Sequence, residues 1–229
     1  MGAFTVRSIL CFCLLATATT TAAEEGHDHG RKPSNVMSFE GADWLERPER
    51  VEEERPDEVI AAMELKPTDV VADIGAGSGF FTRRIAKVVT EGKVLAVDIQ
   101  PEMNAILEEK CAAEGIKNVE IILGEEADPK LPSESADWMI LADVYHEFQD
   151  PQPMLAKMLQ ALKSTGKVAL LEYRLEGESA AHILKAHRMS VKQVLAEWNA
   201  AGFELIDLQE FLPSQHLFVF HKRPARGAN

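Results

Sequence analysis

The chain has 229 residues and a formal net charge of −13 at pH 7, a length only slightly above the common domain size and enough for one large core without a second domain. So acidic a protein repels phosphate backbones, and with no basic, aromatic-laced stripe in the sequence, DNA and RNA are disfavoured as substrates. Three cysteines are too few for a disulfide scaffold.

The first 23 residues read as a secretory leader rather than part of the fold. Arg7 precedes an apolar run over 9–16, and the small residues Thr21, Ala22 and Ala23 lead to Glu24. A charged start, a short apolar core and a small-residue cleavage site are the layout of a signal peptide, and the apolar core is short for a membrane span. Cleavage after Ala23 and export to a periplasm or the exterior are expected, with an uncleaved anchor as the alternative. Cleavage also removes Arg7, Cys11 and Cys13, leaving Cys111 as the one cysteine and a net charge of −14 (−13 − 1).

Residues 24–55 form a polar extension. His27 and His29 could offer two imidazoles to a metal, but two ligands on a chain terminus make a poor site, and no metal is expected. The charge cluster from Arg47 to Arg55 follows Phe39, Trp44 and Leu45, the large apolar groups by which this stretch is expected to lie across the domain.

The main domain is expected over 56–223, with a short tail over 224–229. Its lead helix covers about 56–65. Val70, Val71, Ala72 and Ile74 form an apolar run typical of a strand covered on both faces, and Phe81, Ile85 and Val88 recur at helical spacing, with Arg83, Arg84 and Lys87 left for solvent. Between them stands Asp73-Ile74-Gly75-Ala76-Gly77-Ser78-Gly79. Glycines between a strand and a helix let main chain approach a ligand, and such a turn can present free amides. A P-loop is excluded because Gly79 is followed by Phe80, Phe81 and Thr82 rather than Lys-Ser/Thr, and a dinucleotide turn lacks its third glycine because Phe80 occupies that position. A nicotinamide oxidoreductase with an unusual turn stays open.

A second strand over 93–99 ends near Asp98, about 20 residues beyond the glycine turn, where a carboxylate can accept both hydroxyls of a ribose. A helix over 101–114 carries Met103, Leu107 and Cys111 on one stripe, which makes Cys111 a small buried hydrophobe. Further strands are expected over 119–123, 138–142 and 168–172. A helix over about 151–163 is opened by proline and closed by a nearby glycine, like the one before it. Ser190 and Gln193 form a capping box for a helix through Trp198, which Gly202 closes. Strands over 203–210 and 216–221 follow without an intervening helix, so they should pair as a hairpin whose last strand runs antiparallel. The fold class is α/β: a Rossmann-like, seven-stranded, mostly parallel sheet with helices on both faces.

The acidic residue followed by three alternating glycines, Asp73, Gly75, Gly77 and Gly79, resembles the first motif of class I S-adenosylmethionine-dependent methyltransferases. With Asp98 and the strand order, the similarity runs from about Phe39 to Lys222 and points to the broad group that includes the ubiquinone and menaquinone biosynthesis enzymes. The resemblance implies S-adenosylmethionine as cofactor, with Asp73 and the three glycines facing its methionine part and Asp98 its ribose. Relatives often contact the adenine amino group with an acidic residue after the third strand. Here Gly124-Glu125-Glu126-Ala127-Asp128 departs from the usual Gly-Asp-Ala, so Glu125 and Asp128 compete for that role. Such enzymes place residues towards the methyl group at the end of the fourth strand, which reads Asp143-Val144-Tyr145-His146-Glu147. Methyl transfer requires alignment of a nucleophile and exclusion of water, and a base only where the nucleophile carries a proton. His146 has a suitable ordinary pKa, with Glu147 or Asp143 to orient it or bind substrate. Asp150 stands where a zinc HExxH motif would need histidine. Glu172, Tyr173, His182, His187 and Arg188 could line the acceptor side. The expected activity is methyl transfer to a small molecule. A non-catalytic S-adenosylmethionine-binding or nucleoside-binding module is the alternative from another class, since export leads away from an obvious cofactor supply.

Overall fold

A computed structural model describes Met1 and residues 32–224. Apart from Met1, the expected leader over 1–23 lies outside the described residues, as do the histidines His27 and His29 and the last five residues of the expected tail. In chain order the elements are α1 (Ala42–Leu45), α2 (Arg50–Glu54), α3 (Pro56–Ala62), β1 (Val70–Ile74), α4 (Thr82–Ala86), β2 (Lys93–Asp98), α5 (Pro101–Glu114), β3 (Val119–Leu123), β4 (Ala136–Ala142), α6 (Pro151–Ala161), β5 (Leu162–Arg174), β6 (Arg188–Met189), α7 (Val191–Ala200), β7 (Phe203–Gln209) and β8 (Gln215–Lys222), with single 3-10 turns between some of them.

The strands form one sheet in the order β3-β2-β1-β4-β5-β8-β7, and the two-residue β6 pairs with β5. Strands β1 to β5 pair in parallel, while β8 is antiparallel to both β5 and β7. The hairpin therefore forms as expected, and its return strand slots between β5 and β7. Alternate residues of the central strands feed two cores. Val168, Leu170, Phe218 and Phe220 join Trp198 and Tyr145 on one face, and Ala169, Leu171, Leu217 and Val219 join Phe80, Phe81 and Ile85 on the other. With both faces covered, the strands read as unbroken apolar runs.

Helix α5 begins on Pro101 and ends at Gly115, whose left-handed φ of 69° caps it. Cys111, Met103 and Leu107 are all buried. Three details differ from expectation. Helix α4 is one turn shorter than the periodicity suggests, so Val88 is 38% exposed and Val89 takes its place in the core. Helix α6 is not closed by glycine: buried Leu162 already pairs with Ala136, so β5 starts there and Gly166 lies inside it. The α7 cap has Ser190 Oγ accepting from the Gln193 amide at 3.1 Å, while the Gln193 side chain turns to Glu197 instead of completing the box.

Candidate active site

In open α/β sheets ligands sit beyond the carboxyl ends of strands, where the strand order reverses. Here that point lies between β1 and β4, and a cavity of about 570 Å³ opens above it.

The glycine turn forms its floor. Gly75 (φ +74°) and Gly79 (φ +86°) hold backbone that L side chains rarely adopt, and a Cβ would meet Val144 Cγ2 at 2.5 Å or Leu107 Cδ1 at 2.1 Å. The amides expected to be free are not. Gly75 and Ala76 both donate to Val97 O, at 2.8 and 3.0 Å, Gly79 to Ala76 O at 2.9 Å, and Gly77 to Asp98 Oδ2 at 2.8 Å. A turn whose glycine amides are spent internally makes a poor cradle for a pyrophosphate, which counts against a dinucleotide.

Carboxylates surround the cavity instead. Asp98 ends β2 with Oδ1 accepting from the Gln100 amide at 2.9 Å, and burial raises its pKa against the pull of backbone amides. Each of its oxygens keeps a second lone pair for a hydroxyl. Asp73 is buried on β1, takes a 2.5 Å bond from Thr82 Oγ1, and is pushed by burial to about 6. Glu125 and Glu126 line the cavity. Asp128 does not: its carboxylate caps the Lys130 amide at 2.8 Å and pairs with Lys157, and although Glu125 also pairs with Lys130 at 2.9 Å, it is the one of the two on the cavity wall.

The expected extension is less irregular than its composition suggests. Ser34 N donates to His146 O, Met37 N to Glu147 Oε1, and Gln100 bonds the backbone of Met37 and Phe39. Glu46 accepts from Ser78 Oγ at 2.7 Å and pairs with Arg83 at 2.6 Å, which ties the strap to the glycine turn. Phe39 and Trp44 stay exposed, and Leu45 lines the cavity. Within the charge cluster, Arg50 and Glu54 are buried and paired at 2.5 Å. Sequence reasoning missed them. Their i,i+4 spacing was the available signal. Arg50 is the one Arg or Lys among the described residues lining the cavity.

Beyond β4, Asp143 adopts a left-handed φ of 52°. Its Oδ2 accepts from Gln215 Nε2 at 2.6 Å, and its Oδ1 is buried with no protein partner, as are Glu54 Oε2 and Gln215 Oε1. Burial holds Asp143 well above the ordinary carboxylate range, with Glu54 and Glu172 adding to it. Glu147 is pushed by burial to about 7, against the influence of His146. Neither orients His146 as expected, because each is committed elsewhere. Glu172 does so: its Oε2 lies 2.7 Å from His146 Nδ1, its Oε1 accepts from the His146 amide, and His146 Nε2 lies 3.1 Å from His187 Nδ1. His146 is thus buried with both ring nitrogens engaged, and it lines the cavity together with His182 and His187.

A family model described as "Methyltransferase domain" matches residues 65–211. The chain belongs to this methyltransferase-domain family. S-adenosylmethionine is the methyl donor of such domains, and the site fits it on observed grounds: glycines where a Cβ would clash, orphaned buried acceptors, and a carboxylate-rich wall for a cationic ligand. The methyltransferase-domain chain is 41% identical over 76 residues to a protein of Methanosarcina barkeri called "Probable ribosomal RNA small subunit methyltransferase A", covering 33% of this chain and 25% of that one. It is 30% identical over 120 residues to the chloroplastic 2-methyl-6-phytyl-1,4-hydroquinone methyltransferase of Arabidopsis thaliana, covering 52% and 35%. The chain thus spans about a quarter to a third of these relatives' length. Among solved structures, a SAM-dependent methyltransferase from Aquifex aeolicus aligns at TM-score 0.74 and 26% identity over 81% of this chain and 98% of that one. Human N-acetylserotonin methyltransferase, solved with SAM, shares the fold at TM-score 0.66 and 18% identity, over 81% and 55%.

Proposed function

We propose that this chain is an S-adenosylmethionine-dependent methyltransferase acting on a small molecule. The observation that carries it is a cleft whose glycine turn keeps its glycine amides to itself while Asp73, Asp98, Asp143 and Glu147 converge around it. Such a wall favours a sulfonium and an ammonium group over a phosphate. Bound there, S-adenosylmethionine would supply an electrophilic methyl group on sulfur. Asp98 would hold the ribose hydroxyls, and Arg50, with three N–H groups beyond its bonds to Glu54 and Leu45 O, would meet the carboxylate. Asp73 and Asp143 would take the amino group, and Glu125 the adenine edge. The extension, with Leu45 on the cavity wall, would keep water from the reacting centre.

A small, largely apolar acceptor is supported by Val36, Phe148, Met154 and Leu184 on the cavity wall and by the name of the hydroquinone-methylating relative. The overall charge of −13 speaks against the RNA in the other relative's name. Export with cleavage after Ala23 is part of this proposal and rests on residues 1–23 of the sequence. Mass spectrometry of the natural N-terminus tests it, and an intact Met1 would refute it. The activity is tested by incubating the purified protein with methyl-labelled donor and, separately, a small-molecule extract and total RNA. Label in an extracted small molecule is expected. Label in RNA alone would overturn the acceptor class, and label in neither would favour a non-catalytic binder.

A further inference from the structure

The Glu172–His146–His187 chain crosses from the sheet's core to the cavity. Glu172 is fully buried on β5, His146 is 3% exposed and lines the cavity wall, and His187 borders the cavity beside it at the end of a 3-10 turn. What brings His187 there is β6, whose Arg188 pairs with Tyr173 beside Glu172. The two rings meet edge to face, 5.0 Å apart and inclined by 73°.

With His146 neutral, these contacts give a single tautomer pattern. Glu172 as a carboxylate only accepts, and it takes both the His146 amide and the Nδ1–H of the His146 ring. Nε2 of His146 then carries a lone pair and accepts the Nδ1–H of His187. Nε2 of His187 is left with its lone pair at the cavity end of the chain. Burial also lowers the His187 pKa, which keeps the ring neutral near pH 7.

We propose that His187 is the catalytic base of this methyltransferase, with His146 and Glu172 as the positioning residues behind it. The proposal rests on the function argued above and narrows the acceptor to one whose nucleophilic atom X carries a proton. As X–CH3 forms and the S–CH3 bond breaks, the X–H proton passes to Nε2 of His187. The Nδ1 proton of His187 can then shift to His146, where the resulting imidazolium lies against Glu172. The base thus stands one ring beyond His146, the residue that sequence position favours.

The full chain labelled with 15N on histidine gives the first test, by long-range proton–nitrogen correlation at pH 7.5. Protonated Nδ1 on both His146 and His187 is expected, and a His187 ring protonated on Nε2 instead would overturn the relay. Glu172→Gln is expected to lose this tautomer pattern, and an unchanged pattern would count against the relay. With an acceptor in hand, His187→Gln should lower kcat by about 10²–10⁴-fold while S-adenosylhomocysteine binds within twofold of wild type, and added imidazole should partly rescue His187→Ala. An unchanged kcat would overturn the proposal, and so would a loss of S-adenosylhomocysteine binding without rescue. If the wild-type chain itself fails to bind S-adenosylhomocysteine, the proposed function falls, while the histidine spectrum still upholds or overturns the relay.

Discussion

Arg50 is the cation on which the carboxylates around the cleft depend. It is 6% exposed, it pairs with Glu54, itself 1% exposed, and its charge bears on Asp143 and Asp73. Arg50→Met removes one partner of a buried pair and leaves Glu54 uncompensated, a change that costs about 3–5 kcal/mol. At about 2–4 °C per kcal/mol for a domain of this size, Tm should fall by roughly 6–20 °C at pH 8. Glu54 is already raised by burial, and without the guanidinium it rises further. The folded state then holds a proton that the unfolded state has released, so stability falls as pH rises through that range, and the deficit against wild type should widen from pH 5 to pH 8. Arg50→Met/Glu54→Met removes both charges and should recover most of the loss, because apolar replacement of a buried pair is often neutral or stabilising. Thermal melts of both single variants, the double variant and wild type across that pH span close the cycle. Additive losses in the double variant, or a cost under about 1 kcal/mol for Arg50→Met, below the range for a broken buried pair, would refute the account of the pair.

Gly79→Ala and Gly115→Ala share a left-handed backbone, at φ +86° and +69°, but only the first meets an obstacle, Leu107. By chemical denaturation both should lose about 1–2 kcal/mol from backbone strain, with Gly79→Ala losing a further ~1–3 kcal/mol from overpacking, and equal losses would contradict the close approach. Asp73 at about 6 and Glu147 at about 7 both lie above their unfolded values, so each lowers folded stability as pH rises from about 4 to 7. Asp73→Asn/Glu147→Gln should flatten that decline in melts taken over the interval. A cationic ligand should bind more tightly as the same groups ionise, with proton release seen as a buffer-dependent heat; affinity that does not change from pH 5.5 to 8 would exclude them from the site.

Much of the scaffold was legible because local signals agreed. β1 and β3 begin and end where their apolar runs do, and Pro101 and Gly115 bracket α5. Where tertiary packing decides, the sequence is silent. Val88 and Val89 are equally apolar neighbours, and only the early end of α4 exposes the first. β6 has two residues, too few for any periodicity, yet it delivers His187 to His146. The glycine turn is recognisable by spacing, but the engagement of its first amides depends on Val97 O and Asp98 reaching it across the sheet. Arg50 and Glu54 look like part of a solvated charge cluster until the strap folds over the cleft. His146 is conspicuous in the chain, whereas its partners Glu172 and His187 lie 26 and 41 residues away.

The central claim is that this acidic cleft grips an adenosyl sulfonium through Asp98 rather than a dinucleotide through main-chain amides. Calorimetric titration of the full chain with S-adenosylmethionine, S-adenosylhomocysteine and NAD measures it directly, with Asp98→Asn alongside. One-to-one binding of the first two is expected, no heat from NAD, and an affinity loss of roughly 10–150-fold in Asp98→Asn, the equivalent of one charged hydrogen bond at about 1.5–3 kcal/mol. Binding of NAD with no response to S-adenosylmethionine, or identical affinities for wild type and Asp98→Asn, would contradict it.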